Sequence, residues 1–111
     1  MHIETTEVIW FEQHVLSLSE LADLSGLPAE LLEELLECGA IEPLEHSEAG
    51  ARFGAAALQA ARTARRLRLD FELDVQGLAL ALRLLDRVAG LEAQLQELRA
   101  KLPRHRSPAP R

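Results

Sequence analysis

Apolar residues from Leu21 to Ile41 recur at helical spacing, and the pattern is broken where helix-stopping residues stand. Ser19 precedes Glu20-Leu21-Ala22-Asp23-Leu24, which reads as an N-cap with acids in the first turn. Gly26 supplies a tight turn. Pro28 suits the first position of a second helix, where its missing N–H would be unpaired anyway, and Gly39 closes that helix after residues 29–38. Ala40-Ile41-Glu42-Pro43 then leaves as an extended segment. Two short helices joined at a glycine, with a wing behind them, make a helix-turn-helix arrangement whose second helix is the recognition helix. Its core is expected from Leu21, Leu24, Leu27, Leu31, Leu35 and Ile41. Leu31, Leu35 and Cys38 share one face of the second helix, flanked by Leu32 and Leu36, so Cys38 reads as a small core residue.

The rest of the chain is helical. Gly54 and an alanine-rich stretch over 55–69 predict a third helix, Asp70-Phe71-Glu72-Leu73 a connector, and Asp74 the N-cap of a long fourth helix reaching about Leu102, before Pro103. Along that helix Ala81, Leu84, Val88, Leu91, Leu95, Leu98 and Leu102 alternate steps of three and four, which is a heptad seam. A second stripe, Leu78, Leu82, Leu85 and Ala89, is expected to pack on the globular core before Gly90. The seam from Leu84 through Val88, Leu91, Leu95, Leu98 and Leu102 has nothing left in so short a chain to cover it, which implies a partner helix, most simply a second copy. The expected organisation is one helical domain over 1–102, with its dimerisation helix at about 74–102, and a disordered proline- and arginine-rich tail over 103–111. The apolar run Val8-Ile9-Trp10-Phe11 reads as an added strand or core cover.

Composition narrows the function classes. No apolar run approaches the roughly 18 residues that span a bilayer, and the acidic start lacks the basic region of a signal peptide, so a cytoplasmic protein is expected. The single cysteine excludes an internal disulfide. His2, His14, His46 and His105 are scattered without metal-ligand spacing, no serine, histidine and acid sit in a nucleophile setting, and no glycine-rich phosphate loop occurs. The reading is a binding protein with no catalytic residues, no metal and no cofactor.

Charge changes the picture of the helix-turn-helix. Residues 1–51 contain no lysine or arginine and twelve acids, whereas all twelve basic residues lie from Arg52 onward; the halves carry −12 and +6. Opposite its apolar face, the second helix presents Glu30, Glu33, Glu34 and Glu37. DNA binding depends on cations that displace counterions from phosphates, so this face should be repelled by a duplex. An acidic helix face is ordinarily just a solvated one. A cation-free half-chain argues for more than solubility. Arg62, Arg65, Arg66 and Arg68 make the end of the third helix basic, which serves either phosphate contact or complementation of the helix dipole and of the acidic half.

The order helix-turn-helix, Gly39-Ala40-Ile41-Glu42-Pro43, an aromatic wing residue at Phe53, Arg65-Arg66-Leu67-Arg68-Leu69 and a long heptad helix resembles the MerR superfamily. Leu36-Glu37-Cys38-Gly39-Ala40-Ile41-Glu42-Pro43 and the run from Leu67 to Leu82 are similar to its chaperone-modulator branch, the CbpM family, over roughly residues 16–102. The resemblance implies an all-α, MerR-like winged helix-turn-helix with a long C-terminal dimerisation helix. It implies a non-enzymatic protein that binds the J-domain of a DnaJ-like, CbpA-type co-chaperone and inhibits its co-chaperone and DNA-binding activities. J-domains resemble one another in a basic helix, which an acidic module would complement. The partner-binding surface is then expected at Glu30, Glu33, Glu34, Glu37 and Glu42, with Leu44 and Phe53 supplying apolar contact. The alternative is a MerR-like DNA-binding transcriptional regulator, its phosphate contacts made by Arg52, the basic third helix and the tail.

Overall fold

The computed structural model describes residues 15–103. The apolar run at Val8–Phe11 and the tail after Pro103 fall outside the described residues. Helix α1 spans Leu18–Ser25 and is capped two residues earlier than the sequence suggests, by Ser17. The reason is the spacing of a capping box: the Glu20 N–H donates to Ser17 Oγ (3.1 Å) while the Ser17 N–H donates to Glu20 Oε1 (2.8 Å), and only a serine three residues before the glutamate can do both. Gly26 ends the helix in the left-handed region, φ 83°, its N–H on the Ala22 carbonyl.

Helix α2 spans Ala29–Glu37, with Pro28 as its N-cap rather than its first residue and Cys38 as its C-cap. Gly39, φ 83°, turns the chain back so that the N–H groups of Ala40 and Ile41 both reach the Leu35 carbonyl, and Ile41 enters the core. Strands β1 (Glu45–Ser47) and β2 (Gly50–Arg52) form the wing, antiparallel with Glu45 opposite Arg52. On the other side of β2, Leu16 and Phe53 exchange two main-chain hydrogen bonds of 2.8 Å.

Helix α3 spans Ala55–Phe71, two residues beyond the expected end, because the chain stops only at Glu72, which takes the left-handed conformation (φ 57°) with its N–H on the Arg68 carbonyl. Helix α4 spans Val75–Lys101, about 40 Å at 1.5 Å per residue. Asp74 caps it as expected, its Oδ1 accepting from the Gly77 N–H at 2.9 Å.

The core gathers one side of every helix: Leu21 from α1, Leu32 and Leu35 from α2, Leu58 and Ala61 from α3, Leu78 and Leu82 from α4, with Leu16, Ile41 and Phe53 from between them. Each fully buried leucine contributes roughly 1.5–3 kcal/mol. Five expected members lie partly or wholly outside it. Leu24 is 41% exposed, since α1 buries the line Leu21–Ser25 instead. Helix α2 packs against both α1 and α4 and buries Leu32 together with Leu35, the expected centre of its apolar arc, which leaves Leu31 partly buried and Cys38 exposed. Contact between α4 and the core ends at Leu82; Leu85 and Ala89, expected inside, are exposed.

Candidate functional site

The carboxylates of α2 stand outward on a rigid platform, because the helix is held from behind by Leu32 and Leu35 and at its end by the Gly39 turn. Glu30, Glu33, Glu34 and Glu37 are all exposed. Their settings differ. Glu34 lines a cavity of about 330 Å³ between α2 and the first turns of α4, together with Cys38, Gln76, Ala79 and Arg83, whereas the other three are not among its walls. The Arg83 guanidinium donates to the Cys38 carbonyl and so places a cation at the C-terminal end of α2, where the helix dipole favours one. Nothing in the sequence marks Arg83 for this role, since the contact joins residues from two distant helices.

The extended segment after α2 carries Glu42, which is exposed, and Leu44, which is 66% exposed. Leu44 lies over Gly54, where a built Cβ would come within 2.8 Å of Leu44 Cδ1. Phe53 corrects the expectation made for it. Its exposure is 0%, and both its main-chain groups are bound to Leu16, so it is core and offers no surface to a partner. Alternation along β2 explains the difference: an aromatic residue just after a three-residue strand turns inward onto α1 and α3 when the wing closes over them.

The arginines of α3 do not form one uniform patch. Arg65 crosses the turn between α1 and α2, where a Cβ on Gly26 would lie 2.6 Å from its Nε. Arg66 instead borders a groove of about 700 Å³ between the segment after α2, α3 and α4. Along α4 every residue from Arg83 onward is exposed. Leu84, Val88, Leu91, Leu95, Leu98 and Leu102 are between 46% and 61% exposed, a continuous apolar stripe on a helix that projects from the body of a molecule 56 Å in its longest dimension. Among the described residues no group of three or more His, Cys, Asp or Glu side chains converges to hold a metal ion, and no helix is long and apolar enough to cross a membrane.

Residues 16–100 match the family model for MerR HTH family regulatory proteins. The chain is 34% identical over 83 residues to a chaperone modulatory protein CbpM of Coxiella burnetii, covering 75% of this chain and 78% of that protein. It is 33% identical over 88 residues to the chaperone modulatory protein CbpM of Salmonella arizonae, covering 79% and 87%. With that of Escherichia coli the identity is 34% over 88 residues, at the same coverage.

Proposed function

Because the chain belongs to the MerR helix-turn-helix family, and within it to the CbpM chaperone modulators, we propose that it binds the J-domain of a DnaJ-like, CbpA-type co-chaperone and inhibits both its co-chaperone activity and its binding to DNA. The observation that carries this reading is the exposed, all-carboxylate face of α2 in the place where a DNA reader would need cations. Opposite charge on a partner raises the association rate and fixes orientation, and a module seated on the co-chaperone's basic surface excludes whatever else that surface engages. The action is one of occlusion, without catalysis, and the reading puts the protein in the cytoplasm beside the DnaK-type machinery. The exposed stripe Leu84–Leu102 supports a homodimer through α4, its helices antiparallel as the family resemblance implies.

Charge reversal tests the proposal. Glu30→Lys, Glu33→Lys and Glu37→Lys together replace three attractions by three repulsions; Glu34 is left alone because it lines the cavity beside Arg83. An exposed pair contributes about 0.2–1 kcal/mol, so six such changes weaken the complex by about tenfold or more at 0.15 M salt. The gap should narrow at 1 M salt, where the Debye length falls to about 3 Å. Calorimetric titration with the DnaJ-like co-chaperone of the same genome reads this. Equal affinities would remove α2 from the interface, and no binding by the wild type would sink the assignment.

A further inference from the structure

Helix α2 is nine residues long, too short to hold its shape in water unless the rest of the molecule fixes both of its ends. Its start is well held, with Leu27 buried just before Pro28 and Leu32 and Leu35 following in the core. The last turn has no such support. Glu37, Cys38 and Gly39 are all exposed, and between Leu35 and Ile41 no side chain is fully buried. Nor does α4 pack closely behind that turn, because the cavity of about 330 Å³ stands between Glu34 and Cys38 on α2 and Val75, Gln76 and Ala79 on α4. The main-chain N–H groups of Cys38, Gly39 and Ala40 donate to the carbonyls of Glu34, Leu36 and Leu35. The Cys38 carbonyl, next in line, accepts from the Arg83 guanidinium. The same group lies beside the turn, since a Cβ added to Gly39 would stand 4.0 Å from Arg83 Nη2. Arg83 follows directly on Ala79 and Leu82, the last α4 side chains buried in the core, so its backbone is held independently of the end of α2.

We infer that Arg83 is a positioning residue for the partner-binding face: it ties the last turn of α2 to α4 and thereby sets where Glu37 stands relative to Glu30 and Glu33. The inference rests on the function proposed above and deepens it, because it makes the layout of the carboxylate row depend on a residue outside the row. Arg83 acts on a basic partner in two ways of opposite sign. As a cation near the acidic face it repels the partner; as the tie it keeps the carboxylates in the arrangement that the partner meets. The repulsion is weak, since the side chain is exposed, its charge is screened by salt and its guanidinium is committed to the negative end of the helix dipole. A last turn released into solvent must instead be ordered again each time the partner binds, and that cost falls on the complex in full. The tie therefore outweighs the repulsion.

Arg83→Met and Arg83→Lys test it in the full-length chain, together with Glu30→Gln and Glu37→Gln, each made alone and combined with Arg83→Met. Amide hydrogen exchange is followed on the chain by itself, and binding by calorimetric titration with the full-length DnaJ-like co-chaperone of the same genome. Arg83→Met should speed exchange at the Cys38, Gly39 and Ala40 amides about fivefold and leave the Leu21 amide of α1 unchanged. It should weaken binding about two- to fivefold, the span that one exposed pair supplies. Arg83→Lys, which keeps a cationic donor, should recover most of both. Glu37→Gln should weaken binding less in the Arg83→Met background than in the wild type, and Glu30→Gln equally in both, since only residues that share the tie are coupled. Binding unchanged or tightened by Arg83→Met reduces Arg83 to a repelling cation and overturns the inference while the function stands. An equal penalty for Glu37→Gln in both backgrounds does the same. Unchanged exchange at the end of α2 removes the tie whether or not a partner binds, and acceleration at Leu21 as well overturns it in favour of a general loss of stability. Absence of binding by the wild type sinks the proposed function and the role assigned to Arg83 with it.

Discussion

The orientation of α2 decides which carboxylates face outward, and it can be measured by truncating the leucines behind it. Leu32 is buried in the core beside Leu35, the centre of the apolar arc, whereas Leu31, on the arc's other flank and also expected inside, is only partly buried. Leu32→Ala leaves a cavity closed in by α1 and α4 and should cost about 2–5 kcal/mol, the range for leucine truncation in packed cores. Leu31→Ala removes atoms already partly in water, and the space it leaves is open to solvent, so its cost falls below that range. For a chain of this length 1 kcal/mol moves the melting temperature by roughly 4–8 °C, so Leu32→Ala should lower it by at least about 8 °C and Leu31→Ala by clearly less. Thermal unfolding followed by circular dichroism reads both, at one fixed protein concentration because self-association would raise the apparent stability. Leu31→Ala proving equal to Leu32→Ala, or more damaging, would mean that α2 is rolled toward Leu31, which draws Glu34, its neighbour three residues on, inward and away from the outward carboxylates.

Leu95→Glu with Leu98→Glu places like charges in the exposed seam and should give a monomer in sedimentation equilibrium; a wild-type chain already monomeric at high concentration would refute dimerisation through α4. Phe53→Ala should lower the melting temperature by an amount matching about 3–5 kcal/mol, as a core truncation does; loss of partner binding with stability intact would restore Phe53 to the interface. Gel shifts with duplex DNA should show no binding at physiological salt, and sub-micromolar affinity falling steeply with added salt would favour the transcription-regulator alternative.

Local chemistry was legible in the sequence wherever one residue type has one structural use. Gly39 at φ 83° and Asp74 accepting from the Gly77 N–H stand where their side chains, or the lack of one, require. The heptad stripe likewise shows as an exposed apolar ridge on α4. Ser17 and Ser19 are equally good caps in isolation, and only the reciprocal bonds with Glu20 decide between them. What depended on distant packing was not legible. Cys38 and Leu85 both lie on apolar arcs, yet each is exposed because the neighbouring helix leaves at an angle that periodicity does not encode. The candidate site divides the same way: the carboxylates of α2 follow from its sequence, while Arg83 at its end and the groove behind Leu44 arise only when α4 is laid against the segment after α2.

The pair of main-chain bonds between Leu16 and Phe53 gives the reader half of the molecule a common doorway. The chain enters α1 and leaves the wing at adjacent points, about 5.5 Å apart for residues bonded in this way. A segment whose ends meet behaves like a cassette: α1, α2 and the wing are closed at one clasp, so loosening that single pair of bonds frees both ends of the unit together. The family match begins at residue 16, on the doorway itself.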